Sequence, residues 1–316
     1  MHLSSDQLSF FNQHGYLVVE NLLDEACLKA VKQEYATLMD KLYEGWQAKG
    51  LVPQATPYMT FWDKLEHCYQ GGFDWYQPFD ISLPHADITD ETPMHFGPAV
   101  FDMVTNQNIL DVAESLIGTE ITSNPIQHVR IKPPEHLVNS DEIRAHIVAT
   151  DWHQDMGVTM PEADQSQFIT IWLAMTDATL ENGCLQVAPG KYDSLLPHCA
   201  RKQTGIADGF LPDDAATPVP VKAGGAVIFS PFTPHSSMSN RSDGFRWSFD
   251  LRYNVTGHAT GRSQFPEFVA RSKSAPHKEL RDWQIWQSQW EEARHKLAHS
   301  AHIDQHRWPS DGPYCA

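Results

Sequence analysis

The segment Asp151-Trp-His-Gln-Asp155 carries two side chains, His153 and Asp155, that could bind one transition metal. A second histidine, His235, lies much further along the chain and is followed by Arg246-Trp-Ser248. Two imidazoles and one carboxylate can hold iron(II) on one side and leave its other side open to reacting molecules. The residue types and their order therefore predict a metal centre with two histidines and one carboxylate.

The His-x-Asp pattern alone is weak, because a chain with 17 histidines contains about one such pattern by chance. It occurs at His85, His153 and His302. The first follows a proline in a run of turn residues and the last lies near the C-terminal end, so we expect solvated loops there. Only His153 stands between two strand-like segments, residues 143–150 and 168–175. Because residues two apart on a strand point to the same side, we predict that His153 and Asp155 share a strand and a metal.

Arg246 is the candidate anchor for an anionic ligand. The alternating segment 245–254 places Arg246 and Ser248 on one face, together with Asp250 and Arg252. An inward arginine is costly unless an anion meets it, and a guanidinium binds a carboxylate through two hydrogen bonds. A dicarboxylic acid on Arg246, with a hydroxyl contact from Ser248, would meet this need. An internal Arg–Asp pair is the alternative, and Arg252 suits that structural role.

Charge and composition limit the partners. The net charge is −17 and no basic cluster is present, which disfavours a nucleic-acid partner. No apolar run is long enough to span a membrane. We expect a small-molecule substrate, largely apolar or neutral, and the oligomeric state stays open. The N-terminus lacks the pattern of a signal peptide, and five cysteines without Cys-x-x-Cys spacing favour reduced thiols in the cytoplasm.

Turn residues divide the middle of the chain into short strand-like runs, which favours a mainly β fold with flanking helices (α+β), of the sandwich or jelly-roll kind. We predict a single domain over residues 1–316, with its β core at about 119–255 and a C-terminal helix at about 280–299 whose tryptophans belong to the core. Further helices are predicted at 6–14, 24–43 and 107–116. The predicted strands are 16–19, 126–131, 143–150, 168–175, 185–187, 218–221, 226–229 and 245–254.

Residues 45–100 form an irregular insertion that is rich in aromatic side chains. Two interpretations stay open. The rings pack the insertion onto the core, or they form a lid or wall over a substrate cavity, since long loops in compact domains often carry function.

Several motifs together resemble the phytanoyl-CoA dioxygenase family of iron(II)/2-oxoglutarate oxygenases. They are His153-Gln-Asp155, Glu181-Asn-Gly-Cys-Leu-Gln-Val-Ala-Pro-Gly190, Pro234-His235, Arg246 and the opening segment 11–23. The resemblance covers about residues 4–255. It implies a double-stranded β-helix, a cupin-like jelly roll, with iron(II) between His153, Asp155 and His235. It also implies that 2-oxoglutarate binds Arg246, helped by Ser248, Ser237, Trp172 and Thr150.

The reaction implied by this resemblance consumes dioxygen and 2-oxoglutarate, releases succinate and carbon dioxide, and hydroxylates or otherwise oxidises a small organic metabolite. The presence of Asp155 disfavours the related halogenases, which have a small residue there. The family's usual Pro-Gly-Ser-His reads Pro189-Gly-Lys-Tyr192 here, and the segment 45–100 has no counterpart. A non-catalytic β-barrel that binds or senses a ligand is the alternative. A cupin-like isomerase or zinc hydrolase is disfavoured, because neither needs an inward anion-binding arginine.

Overall fold

The protein is described here by a computed structural model that covers residues 1–139, 142–144, 147–200, 203–211, 216–303 and 307–315. The helices are α1 (Ser5–His14), α2 (Glu25–Ala48), α3 (Phe61–Gly71), α4 (Pro98–Val104), α5 (Gln107–Ile117), α6 (Asp155–Val158) and α7 (Trp283–Ala298). The strands are β1 (Tyr16–Val19), β2 (Glu120–Lys132), β3 (Phe168–Ala174), β4 (Leu185–Val187), β5 (His198–Ala200), β6 (Thr204–Ile206), β7 (Thr217–Val219), β8 (Ala226–Phe229), β9 (His235–Ser237), β10 (Arg246–Val255) and β11 (Phe268–Ser272).

Two antiparallel sheets form the core. The larger sheet has the strand order β1-β8-β3-β10-β2-β11, and the smaller has the order β7-β4-β9. Apolar side chains of both sheets, including Trp172, Val227 and Phe229 of the large sheet and Leu185 and Val187 of the small one, form one buried cluster. The sheets therefore face each other across this cluster, and the predicted jelly-roll core is confirmed.

The helices cover the other face of the large sheet. Side chains that alternate with the inward ones, such as Ile171, Trp247 and Phe249, form a second and larger cluster with α2, α4 and α5. On α7, Trp286 and Trp290 are fully buried in this cluster, as the sequence predicted. The jelly roll is thus packed on both faces of its large sheet, one against a sheet and one against helices.

The segment 143–150 and the insertion 45–100 are among the parts that differ from the prediction. Residues 142–144 and 147–150 form turns and bends rather than a strand, and residues 145 and 146 lie outside the described part. Glu142 accepts hydrogen bonds from the backbone N–H groups of Ile143 (3.0 Å) and Arg144 (2.9 Å). Those donors are then unavailable to a strand ladder. The insertion is also not irregular throughout, because α3 begins at a capping box formed by Thr60 and Asp63.

The cysteine prediction is wrong at one pair. Cys199 and Cys315 form a disulfide with a Cα–Cα distance of 5.4 Å, while Cys27, Cys68 and Cys184 are free. The C-terminal segment returns to the core, where Trp308 donates a hydrogen bond to the Gly157 carbonyl (2.7 Å) and thereby brings the tail beside β5. None of the described helices is long and apolar enough to cross a membrane.

Candidate active site

His153 and His235 are brought together by backbone pairing. Each donates its N–H to the other's carbonyl at 3.0 Å in an isolated antiparallel bridge, and their ring centroids lie 4.2 Å apart. The Nδ1 atoms contact the carbonyls of Asp151 (2.8 Å) and Thr233 (3.0 Å). A carbonyl only accepts, so each Nδ1 carries the proton and each Nε2 keeps the lone pair that a metal requires.

Asp155 completes the group from the start of helix α6, and not from a strand shared with His153 as predicted. Its Oδ1 lies 3.7 Å from His153 Nε2 and 3.9 Å from His235 Nε2. The chain turns into α6 directly after the His153 bridge, which brings the carboxylate round beside both imidazoles. The ligand atoms of the three buried residues lie within 4.8 Å of one another, and this donor set suits iron(II).

Two inward side chains of the large sheet hold Asp155 in place. Arg252 donates to its Oδ1 at 2.5 Å, and Thr170 donates to its Oδ2. Burial raises the pKa of Asp155, but Arg252, the two histidines and the hydrogen bond from Thr170 together outweigh it and hold the pKa below its usual range. The inference that Arg252 belongs to an internal Arg–Asp pair fits the structure, although its partner is the candidate metal ligand.

The protonation states favour metal binding. Burial lowers the pKa of His153 to about 3, and the neighbouring His235 contributes. Burial also lowers the pKa of His235. Both imidazoles are therefore neutral near pH 7 while Asp155 is ionised, as ligands of a divalent cation must be.

A small, partly open cavity of about 30 Å³ lies beside this group. Arg246 lines it and is 2 % exposed, with its guanidinium carbon 5.0 Å from the centre of the Trp172 ring. The Nε and Nη1 atoms of Arg246 have no hydrogen-bond partner within the described part of the chain. Two buried, unsatisfied donors of a charged group are costly unless a ligand meets them, and the carboxylate of a dicarboxylic acid such as 2-oxoglutarate fits this requirement.

The other predicted cosubstrate contacts lie close by. Trp172, Thr150 and Ser237 line the cavity, and the Ser237 hydroxyl accepts a hydrogen bond from the Thr150 N–H at 2.9 Å. Ser248 is fully buried on the same face of β10, and its hydroxyl has no partner among the described residues, but it does not line the cavity.

Lys132 pairs with Arg246 in the β2–β10 register and donates to Ser237 Oγ at 2.7 Å. Burial lowers its pKa well below the usual range, and the charge of Arg246 contributes. Lys132 was not among the predicted site residues, and its position beside Arg246 places a second nitrogen donor near the proposed carboxylate site.

Sequence reasoning missed Arg130 and Thr170 as cavity residues, while Asp250 lines the cavity on the face where the alternation placed it. Arg130 donates from Nε to Asp250 Oδ2 at 2.6 Å. A signal for Arg130 was present, because β2 alternates polar His128, Arg130 and Lys132 with apolar residues, and this alternation predicts an inward polar face. Thr170 offered no comparable signal, since it lies in an almost wholly apolar strand.

The aromatic insertion does not line the cavity as far as the structure describes it. Its rings pack against the outward face of β10, where Phe61 and Trp62 contact Trp247 with centroid distances of 5.9 and 6.2 Å. The structure therefore supports packing on the core, and a role of the insertion at the substrate site stays a prediction. His85 and His302 are exposed, as expected of loop residues, while Asp304 lies outside the described part.

Comparison with known proteins gives the family. Residues 81–248 match the family described as "Phytanoyl-CoA dioxygenase (PhyH)". The chain is 33 % identical over 270 residues to the mouse phytanoyl-CoA dioxygenase domain-containing protein 1, covering 79 % of this chain and 89 % of that protein. This chain belongs to the phytanoyl-CoA dioxygenase family. A probable phytanoyl-CoA dioxygenase of Caenorhabditis elegans is 26 % identical over 268 residues, covering 79 % of this chain and 75 % of that protein.

Among solved structures, the apo form of the non-heme monooxygenase ThoJ superposes with a TM-score of 0.59 at 18 % identity, over 92 % of this chain and 97 % of that one. This likeness concerns the fold. Membership of the phytanoyl-CoA dioxygenase family, together with the His–Asp–His group, identifies an oxygenase that depends on iron and 2-oxoglutarate.

Proposed function

We propose that His153, Asp155 and His235 bind the iron(II) of this oxygenase and that Arg246 binds the distal carboxylate of 2-oxoglutarate. The observation that carries the proposal is the arrangement within one cavity of three neutral or anionic metal donors and one buried guanidinium, two of whose nitrogens have no partner among the described residues. Iron bound there would couple the reduction of dioxygen and the decarboxylation of 2-oxoglutarate to oxidation of the substrate.

The protein's own residues supply orientation. Backbone carbonyls fix both imidazole rings, and Arg252 and Thr170 fix Asp155. Loss of partners of this kind typically weakens metal binding by about 10–100-fold. The Trp172 ring lies beside the Arg246 guanidinium and favours the charged form of Arg246 by a cation–π contact. Arg246 therefore remains able to bind a carboxylate.

The charges around the cavity support a neutral substrate. Arg252 is paired with Asp155, and Arg130 is paired with Asp250. Among the arginines that line the cavity in the described part, this leaves Arg246 without a carboxylate, and we assign it to 2-oxoglutarate. An anionic substrate would then meet no unpaired arginine, and a largely apolar or neutral small molecule fits better than a coenzyme A thioester. We propose that this molecule is hydroxylated.

The test is succinate release from 2-oxoglutarate under iron(II) and ascorbate, across small molecules presented as matched pairs of a carboxylic acid and its neutral amide or ester. Turnover that is stimulated more by the neutral member supports the proposal. Stimulation by the acids alone contradicts the substrate class. Binding of iron and 2-oxoglutarate without succinate from any substrate would instead support a non-catalytic binding protein.

The compartment is a further proposal. We infer a cytoplasmic enzyme, because three of its cysteines are free thiols. The Cys199–Cys315 disulfide is less usual in that compartment. Fractionation of the native cells, with alkylation of thiols before lysis, tests both the location and the oxidation state of this pair.

A further inference from the structure

A second group of metal-binding side chains lies on the surface, outside the site described above. Asp90 is contacted by His295 Nδ1 on one carboxylate oxygen and by His299 Nε2 on the other, each at 2.8 Å. The ligand atoms of the three residues lie within 4.8 Å of one another, and all three are exposed. His295 lies in the last turn of α7 and His299 directly follows the end of that helix, four residues on, which is the spacing with which two histidines of a helix bind one zinc ion.

The two segments that carry these residues are fixed to each other. Asp90 belongs to a turn closed by the hydrogen bonds between Thr89 and Thr92 (2.8 and 3.1 Å). Arg294 of α7 donates to the Thr92 carbonyl at 3.2 Å. Further along, Phe96 stacks on the buried Trp290 of the same helix at 5.2 Å. The turn and the helix are therefore fixed to each other next to these three side chains, which lowers the entropic cost of binding an ion.

The donor chemistry fits a cation of intermediate softness. Hydrogen bonds from His295 and then His299 lower the pKa of Asp90, so the carboxylate is ionised near pH 7. Zinc bonds of about 2.0–2.1 Å in a tetrahedron place neighbouring donors about 3.4 Å apart. The present 2.8 Å contacts therefore need to open by only about half an ångström for an ion to replace the shared protons. The net charge of −17 also favours a cation.

We propose that Asp90, His295 and His299 form a zinc-class metal site, with water in the remaining position, that ties the C-terminal helix to the turn at residues 89–92. The ion would replace two hydrogen bonds with three coordinate bonds across segments that are far apart in the sequence. It would be separate from the iron and would take no part in oxidation.

Zinc titration of the chelator-stripped full-length protein tests this, with binding followed by calorimetry and stability by thermal unfolding. We expect two equivalents in the parent, because the proposed His153–Asp155–His235 site should also bind zinc, and one equivalent in the double variant His295→Gln/His299→Gln. Saturating zinc should raise the Tm of the parent by about 4 °C more than that of the variant. Asp90→Asn should weaken binding at the same site by at least about tenfold.

A matched control is His136→Gln/His277→Gln, which removes two exposed histidines elsewhere and should keep both equivalents. Succinate release with iron(II) should be unchanged in His295→Gln/His299→Gln, so failure of this site and failure of the oxygenase proposal are separate results. Equal zinc stoichiometry and equal Tm shifts in the parent and in this double variant would overturn the proposal.

Discussion

The two faces of strand β10 are equally buried and chemically opposite. Its inward residues are Arg246, Ser248, Asp250 and Arg252, and its outward residues are Trp247, Phe249, Leu251 and Tyr253, and all eight are buried. Outward, aromatic rings pack against one another and against the helices, as in the 5.0 Å contact of Tyr35 with Trp247. Inward, every charge must find a partner, because an unpaired buried charge costs several kcal/mol.

Among the described residues, the charged groups of the inward face have partners of opposite charge except at Arg246, and this exception is informative. Arg252 has Asp155 and Arg130 has Asp250, while Arg246 keeps two nitrogens without any partner in the described structure. Burial lowers the pKa of Arg246 to about 10, which still leaves it charged near pH 7. On this face, paired charges build the site and the unpaired charge marks where a ligand binds.

The largest effect should come from breaking the inward pair that includes a metal ligand. Asp155→Asn should abolish iron binding and succinate release, because loss of a mere supporting partner already costs about 10–100-fold. Asp250→Asn is the matched control, since it breaks the other inward pair and should keep iron binding. Iron binding by calorimetry and succinate by chromatography are the measurements. An Asp155→Asn protein with near-parental turnover would remove Asp155 from the metal site.

Loss of the unpaired charge should be next in size. Arg246→Ala should weaken 2-oxoglutarate binding by about 2–5 kcal/mol, since a buried charge-assisted contact is lost, while iron binding stays. The 2-oxoglutarate affinity of Arg246→Lys should lie between those of the parent and of Arg246→Ala, because lysine restores the charge without the planar guanidinium and its two parallel donors. Titration of 2-oxoglutarate into the metal-loaded protein gives the affinities. If Arg246→Ala binds like the parent, the anchor is Lys132 or Arg252.

The outward face should respond in stability and not in chemistry. Trp62 stacks on Phe245 at 5.5 Å and contacts Trp247, so Trp62→Ala should lower the free energy of unfolding by about 1–3 kcal/mol. The ratio of succinate to oxidised substrate should not change, because Trp62 does not line the cavity. Urea unfolding and this ratio are measured together. A changed ratio at unchanged stability would return the aromatic insertion to the substrate site.

The candidate metal group could be predicted from sequence because its residues carry local signals. His153-Gln-Asp155 stands between two strand-like segments, and His235 follows two prolines and precedes a strand that carries Arg246. Even so, the prediction that one strand holds His153 and Asp155 was wrong, and they meet through a bridge and a helix start. A pattern of residue types constrains which side chains meet, and several backbone routes can bring them together.

Cross-strand partners could not be predicted, because they depend on register. Ser248 pairs with Arg130, and the β2–β10 register shifts between Asp250 and Arg252, which alternation within one strand does not reveal. The disulfide was also out of reach, since Cys199 and Cys315 are separated by 116 residues and five cysteines allow many pairings. Helix α3 was within reach, because Thr60 and Asp63 have the spacing of a capping box.

Removal of a charge on the rim of the large sheet should have a smaller effect than any of the substitutions above. Arg271 of β11 pairs with Asp111 (2.7 Å) and Glu114 (2.9 Å) of α5. Hydrogen bonds from Lys273 and Arg271 lower the pKa of Glu114. In Asp111, hydrogen bonds from the N-terminal amine and Arg271 outweigh burial and lower its pKa too. An acid whose pKa is lowered by folding stabilises the fold fully at a pH above its unfolded pKa, which is 3.8 for Asp and 4.5 for Glu. This contribution is lost as the pH falls through the pKa of the folded state. Water screens these pairs, so their contribution is at most about 1 kcal/mol.

Urea midpoints between pH 6 and pH 3 should therefore fall slightly less steeply in Arg271→Gln than in the parent. The two curves should be separate above pH 4.5 and converge below it. Parallel curves throughout would show that the rim pairs add nothing, and that the ion pairs important for this fold are those inside it.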